Sequence, residues 1–160
     1  MRKKKIFLNT GVIYADKEAC DVTTILGSCV SVCIWDKQLR IGGINHYLLP
    51  LWNGEGLESP RFGNVAIARL IKKLQAYGSS KINMIAKVFG GASVIPNGGV
   101  GLMNIGERNI ELAKDILKKE KIRIIGSDVG GELGRKIIFD TRAGTVLVKK
   151  LRPMKKSLKS

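Results

Sequence analysis

Histidine occurs once in this chain, at His46, and cysteine three times, at Cys20, Cys29 and Cys33. An odd number of cysteines with no regular spacing argues against a disulfide framework and for a reducing compartment, the cytoplasm. There is no CxxC or HExxH, no P-loop lysine with its Ser/Thr, and no GxGxxG opening a helix, so the common metal and phosphate signatures are missing. No uninterrupted apolar run approaches the roughly 18 residues of a membrane span. Met1 to Leu8 has the basic flank of a signal peptide. Asn9, Thr10 and Asp16 interrupt the apolar region too early, so none is expected.

Acidic residues are scarce: 13 Asp and Glu face 28 Lys and Arg, a formal charge of +15. Such an excess suggests nucleic acid, but its placement argues otherwise. Arg2, Lys3, Lys4 and Lys5 form one tail, and Lys149, Lys150, Arg152, Lys155, Lys156 and Lys159 lie at the other end. These ten carry no acid among them, leaving 18 basic against 13 acidic residues in the body. No recognition motif accompanies the charge, which reads as solubilising tails able to meet an anionic surface.

What is present is enough for one domain over residues 1–160 with a substantial core, at 44% hydrophobic and 26% charged content. Strands are expected at Ile6 to Tyr14, Val30 to Trp35, Ile41 to Leu48, Ile82 to Phe89, Ile122 to Ile125, Lys136 to Phe139 and Thr145 to Val148. Cys20 reads as part of a polar turn beside Asp21. Ile67, Leu70, Ile71 and Leu74 recur at helical spacing from Asn64, with Gly78 as a stop. A second helix is expected from Ile105 to Glu120, with Ile110, Ala113 and Leu117 on one face. Strands adjacent in sequence favour a mixed or antiparallel sheet with two helices packed against it: an α/β layered sandwich rather than a regular βαβ winding.

With one histidine, any Cys–His chemistry must use His46, and imidazole is the usual partner that makes a thiol nucleophilic near neutral pH. Cys29 follows a Gly27-Ser28 turn that can leave its sulfur at a strand end, with backbone N–H groups free to face a substrate oxygen. Cys33 lies in an apolar strand. Gly42-Gly43 precedes His46, so glycines put flexible backbone near both groups, and pairing of the second and third strands makes them neighbours. The blander account is a glycine-relieved hairpin with a buried cysteine and a hydrogen-bonded histidine. A zinc site from Cys29, Cys33 and His46 fails, because strand residues four apart lie roughly 13 Å apart. Gly90 to Gly101 reads as a loop needing close backbone approach or unusual dihedrals. Glu55 and Glu58 look solvated.

Leu26-Gly27-Ser28-Cys29-Val30 and Gly42-Gly43-Ile44-Asn45-His46 with Leu49-Pro50 resemble the cysteine and histidine motifs of the chemoreceptor glutamine deamidases called CheD. Arg61-Phe62-Gly63 is similar to that family's Arg-Tyr-Gly. Ala86 to Ala92, Asn104 to Asn109 and Asp128 to Gly131 resemble further blocks in order. The resemblance covers nearly the whole chain. It implies an α/β sandwich with Cys29 as nucleophile, His46 as general base and acid, and Thr23 as third member, Thr24 being the adjacent competitor. Gly27 and Ser28 would shape the oxyanion site. It implies no metal or organic cofactor, methyl-accepting chemotaxis receptors as substrates, and the CheC phosphatase as partner. The competing reading is a docking module for CheC or receptors; a protease or transglutaminase would need a cleft or amine acceptor that the sequence does not identify.

Overall fold

The structure is a computed structural model that describes residues 3–93 and 104–153. Its strands are β1 (Lys4–Phe7), β2 (Ile13–Asp16), β3 (Cys20–Leu26), β4 (Val30–Asp36), β5 (Ile41–Asn45), β6 (Met84–Gly90), β7 (Arg123–Val129), β8 (Arg135–Asp140) and β9 (Val146–Lys150). Its helices are α1 (Gly63–Ala76) and α2 (Ile105–Lys119). A four-stranded sheet has the order β1-β3-β8-β9 and a five-stranded sheet the order β2-β5-β4-β6-β7.

The layers follow from alternation along β4, the middle strand of the larger sheet. Val30, Val32 and Ile34 pack with Ala66, Ile67, Leu70 and Leu74 of α1 and Ile110, Ala113 and Leu117 of α2. Cys33, on the opposite face, packs with Val22 and Leu26 of β3 and Ile137 and Phe139 of β8. Successive strand side chains point to opposite faces, so β4 is apolar at nearly every position because both its faces are covered. The result is three layers: helices, five-stranded sheet, four-stranded sheet. This is the α/β layered sandwich with two main helices that the pattern predicts.

The expected strand from Ile6 to Tyr14 is divided. β1 joins the four-stranded sheet beside β3, while β2 joins the five-stranded sheet beside β5, and the turn between them lets the chain change layer. Cys20 lies in no turn: it begins β3, whose Cys20, Val22, Thr24 and Leu26 are all buried. Thr24, a polar residue on the inward face, is what interrupts the apolar alternation there. The turn after β4 is held by the buried Asp36 carboxylate, which accepts the Gln38 and Leu39 N–H groups at 2.8 Å and the Ser79 hydroxyl. α2 opens on an Asn104 N-cap, whose side chain accepts the Glu107 N–H at 2.9 Å while its amide donates to the Glu107 carboxylate at 3.1 Å.

Gly42-Gly43 provides close packing and no flexibility. Both lie within β5, where a Cβ would come 2.8 Å from Phe139 at Gly42 and 2.6 Å from Leu70 at Gly43. The strand is squeezed between the two neighbouring layers. Within the expected loop Gly90 to Gly101, Gly90 and Gly91 have φ of 106° and 70°; its part from Val94 to Gly101 lies outside the described residues.

Candidate active site

Cys29 sits where the chain passes from one sheet to the other. β3 ends at Leu26 in the four-stranded sheet and β4 begins at Val30 in the five-stranded one, so Gly27-Ser28-Cys29 is the crossing turn. Its carbonyls are all held from outside. Gly27 O accepts the Ala92 N–H at 2.9 Å, Cys29 O the Gly91 N–H at 2.8 Å, and Ser28 O the side-chain amide of Asn109 at 3.0 Å. No acceptor elsewhere among the described residues takes the Ser28 or Cys29 N–H. Gly90 must be glycine here: its φ is 106° and a Cβ would lie 2.2 Å from Cys29 O.

Val30 and Tyr47 exchange backbone hydrogen bonds, N to O at 3.1 Å and 3.0 Å. This bridge continues the β4–β5 register, in which Cys33 faces Ile44. Cys29 and His46 therefore lie diagonally across the bridge on one sheet face, a separation of about 7 Å between strand positions that an imidazole can span. Their packing agrees. Cys29 is half-buried against the cluster between the sheets, and His46, 4% exposed, reaches a residue of the opposite sheet. Cys20 and Cys33 are buried.

That residue is Thr24. Its Oγ1 lies 2.7 Å from His46 Nδ1 and donates to the Leu8 carbonyl at 2.8 Å. Thr23, the third member that the resemblance implies, is not the threonine that bonds His46. It lies one position along β3, so its side chain takes the other face of that sheet, in register with Phe7 and Ile138. A hydroxyl has one proton to give. Since Thr24 gives it to Leu8, it must accept from Nδ1–H, so the neutral imidazole carries its proton on Nδ1. Nε2 is left with its lone pair.

Burial pushes the His46 pKa down to about 4, so the ring is neutral at pH 7 and Nε2 can act as a base. Burial also pushes the Cys29 thiol up, an effect its own backbone N–H partly offsets. The pair rests as thiol and imidazole, without a preformed ion pair. Among the described residues no group of three His, Cys, Asp or Glu side chains is placed to hold a metal ion.

Arg61-Phe62-Gly63 braces the histidine segment. Leu48 and Leu49 N–H donate to Arg61 O at 2.9 Å and 3.1 Å, and the Gly63 N–H returns to Leu49 O at 2.7 Å. Thr24 and Asn109 are the residues in contact with the candidate pair's segments that residue patterns alone do not mark. The available signal is the same for both: a polar residue where β3 or the inner face of α2 calls for an apolar one.

A family model described as CheD chemotactic sensory transduction matches residues 48–150. A protein of Trichlorobacter lovleyi named Probable chemoreceptor glutamine deamidase CheD is 48% identical over 145 residues, covering 91% of this chain and 89% of that one. Its namesake from Sulfurimonas denitrificans is 42% identical over 149 residues, covering 93% and 96%. A solved structure, Neisseria meningitidis protein NMB0706, overlays with a TM-score of 0.44 at 13% identity, covering 81% of this chain and 63% of that one. With relatives this similar along almost their whole length, the chain belongs to the CheD family.

Proposed function

We propose that this protein is a chemoreceptor glutamine deamidase, converting receptor glutamines to glutamate with release of ammonia. The observation that carries the reading is the hydrogen-bonded row Leu8 carbonyl, Thr24 hydroxyl, His46 Nδ1, which leaves Nε2 unprotonated on the sheet face that carries Cys29. In the first step Nε2 takes the thiol proton as Sγ attacks the glutamine side-chain carbonyl carbon. The Ser28 and Cys29 N–H groups stabilise the developing oxyanion. The imidazolium then protonates the departing amide nitrogen, the C–N bond breaks, and ammonia leaves a thioester on Cys29. Water attacks that thioester as Nε2 removes its proton; the C–S bond breaks, the thiolate is reprotonated, and glutamate is the product.

Thr24 holds the ring in the tautomer this sequence needs, the service an Asp or Asn gives in other triads. Because thiol and imidazole rest neutral, activation occurs when the substrate closes the site and the proton moves. The expected outcome for receptor fragments incubated with the protein is a mass increase of about one dalton per converted glutamine, lost with Cys29→Ala and retained with Cys33→Ala. Activity surviving in Cys29→Ala would overturn the nucleophile assignment. Receptor binding without any mass change in the wild type would favour the docking reading instead.

A further inference from the structure

The β4–β5 ladder runs to Cys33–Ile44, the Val32 N–H then turns to the Asn45 side chain at 2.9 Å, and the isolated Val30–Tyr47 bridge is the last backbone rung before the active site. Beyond the Val30–Tyr47 bridge, the register would next join Ser28 to Leu49. That rung is not made. The Leu49 N–H donates to Arg61 O at 3.1 Å, and Leu49 O accepts the Gly63 N–H at 2.7 Å. The Ser28 carbonyl thereby loses its strand partner, and the Ser28 N–H is left for another acceptor.

Asn109 fills the gap. It projects from the inner face of α2 and is fully buried. Its single amide nitrogen donates to Ser28 O at 3.0 Å and to Leu48 O at 2.9 Å. One carbonyl immediately precedes Cys29, and the other is two residues past His46. The Tyr47 hydroxyl in turn donates to the main-chain carbonyl of Asn109 at 2.6 Å, tying α2 to the same segment. The chemistry selects this side chain. Two neutral donors on one nitrogen are available from a side-chain amide; a hydroxyl offers one, a carboxylate none, and lysine or arginine would bring a buried charge. Flipping the amide would set its oxygen against two carbonyls, so the orientation is determined. Asn109 Oδ1 is buried with no hydrogen-bond partner among the described residues, so the donor end is what the site uses.

We infer that Asn109 is a positioning residue. It holds the Cys29 turn and the His46 segment at a fixed offset while keeping the ladder open, so that the Ser28 and Cys29 N–H groups face the substrate oxygen. This rests on the Cys29–His46 deamidase reading. It adds that the geometry of the pair is imposed by α2, which contributes no reacting group.

The test uses the full chain and a glutamine-containing receptor peptide. For Asn109→Ala, kcat is expected to fall about a hundredfold, the size of effect a misplacement of about 1 Å produces, with KM changed less than about threefold. The decisive measurement is a double-mutant cycle on the iodoacetamide rate at Cys29. His46→Ala should slow alkylation in the wild-type background and make little further difference in Asn109→Ala. Independent, multiplying effects would overturn the proposal, as would unchanged kcat in a folded Asn109→Ala protein. If that variant does not fold, Asn109→Ser, which keeps one donor, takes its place in the cycle. The wild type alone supplies a further check: both Asn109 side-chain amide protons should be protected from solvent exchange, and rapid exchange would exclude the clamp. Cys29→Ala separates the two ideas. Activity in that variant sinks the deamidase mechanism itself, whereas an inactive Cys29→Ala beside a fully active Asn109→Ala sinks only the clamp.

Discussion

At the scale of single residues, the proposed mechanism turns on one hydroxyl proton. Thr24 can give that proton to Leu8 or to His46, and the 2.8 Å bond to the Leu8 carbonyl decides it. Thr24→Val keeps the shape of the side chain and removes the acceptor that holds Nδ1–H. Its kcat is expected to drop about tenfold to a hundredfold, less than loss of a buried carboxylate partner costs a triad. Thr23→Val should stay within about twofold of wild type, because Thr23 faces the other side of β3; equal losses in steady-state assays of both variants would show that strand geometry, not the hydroxyl, matters. His46 also links stability to pH. Its pKa is about 4 folded against 6.5 as the ordinary value, so between those limits the unfolded chain binds more protons. The stability tied to the neutral ring is complete above about pH 6.5 and is lost as pH falls toward 4. The full shift corresponds to about 3 kcal/mol as an upper figure. Urea unfolding from pH 8 to 4 should show a shallower acid decline in His46→Gln than in wild type, and parallel curves would remove His46 from that decline.

Among the elements, the glycines of β5 and β6 do different work. Gly43→Ala drives a methyl to 2.6 Å from Leu70 of α1, an overpacking expected to cost about 1–3 kcal/mol while leaving the crossing turn in place. Gly90→Ala instead strikes the Cys29 carbonyl at 2.2 Å from a residue with φ of 106°, so activity should fall much further than stability. Chemical denaturation and kcat measured on both variants check the contrast; a Gly90→Ala protein with full kcat would show that the turn adjusts freely. β3 carries the same lesson. Its buried positions alternate as a half-buried strand requires, yet Thr24 occupies one of them. The residue that disguises the strand in the sequence is the one that reaches across to the histidine.

For the molecule as a whole, the charge of +15 is partly structural at the amino-terminal end. Lys3 bridges Asp21 and Asp140 at 3.1 Å and 2.6 Å, and Lys4 and Lys5 belong to β1. Those carboxylates lie on β3 and β8, so the bridge fastens one edge strand to the middle of the four-stranded sheet. Removing residues 2–5 should lower the thermal midpoint by about 2–4 °C with turnover on a soluble peptide nearly unchanged. Removing the segment from Lys155 onward, which lies outside the described residues, should likewise leave turnover on the soluble peptide nearly unchanged. On membrane-embedded receptors either truncation should slow turnover at low ionic strength and converge with full-length protein at high salt, since screening removes attraction to an anionic surface. Among the described residues no helix is long and apolar enough to cross a membrane. Equal rates at low salt would leave the tails without a part in association.

Local pattern was enough for the helices and for most strands, and it singled out Cys29 and His46 as candidates, because periodicity, turn residues and a single imidazole are properties of the chain read in order. The division of residues 6–14 between two sheets and the strand at Cys20–Leu26 were not available that way. Both depend on which layer covers a short segment, and a four-residue strand such as β1 has too few positions to show it. The site divides along the same line. The proposed nucleophile and base stand out by residue type, but the partner of His46 depends on which of two adjacent threonines points between the sheets. The partner of Ser28 is 81 residues away, on a helix. Neither can be read from spacing, since strand facing and helix docking are set by tertiary burial, and that burial is what lets one hydroxyl and one amide act at a distance from their own segments.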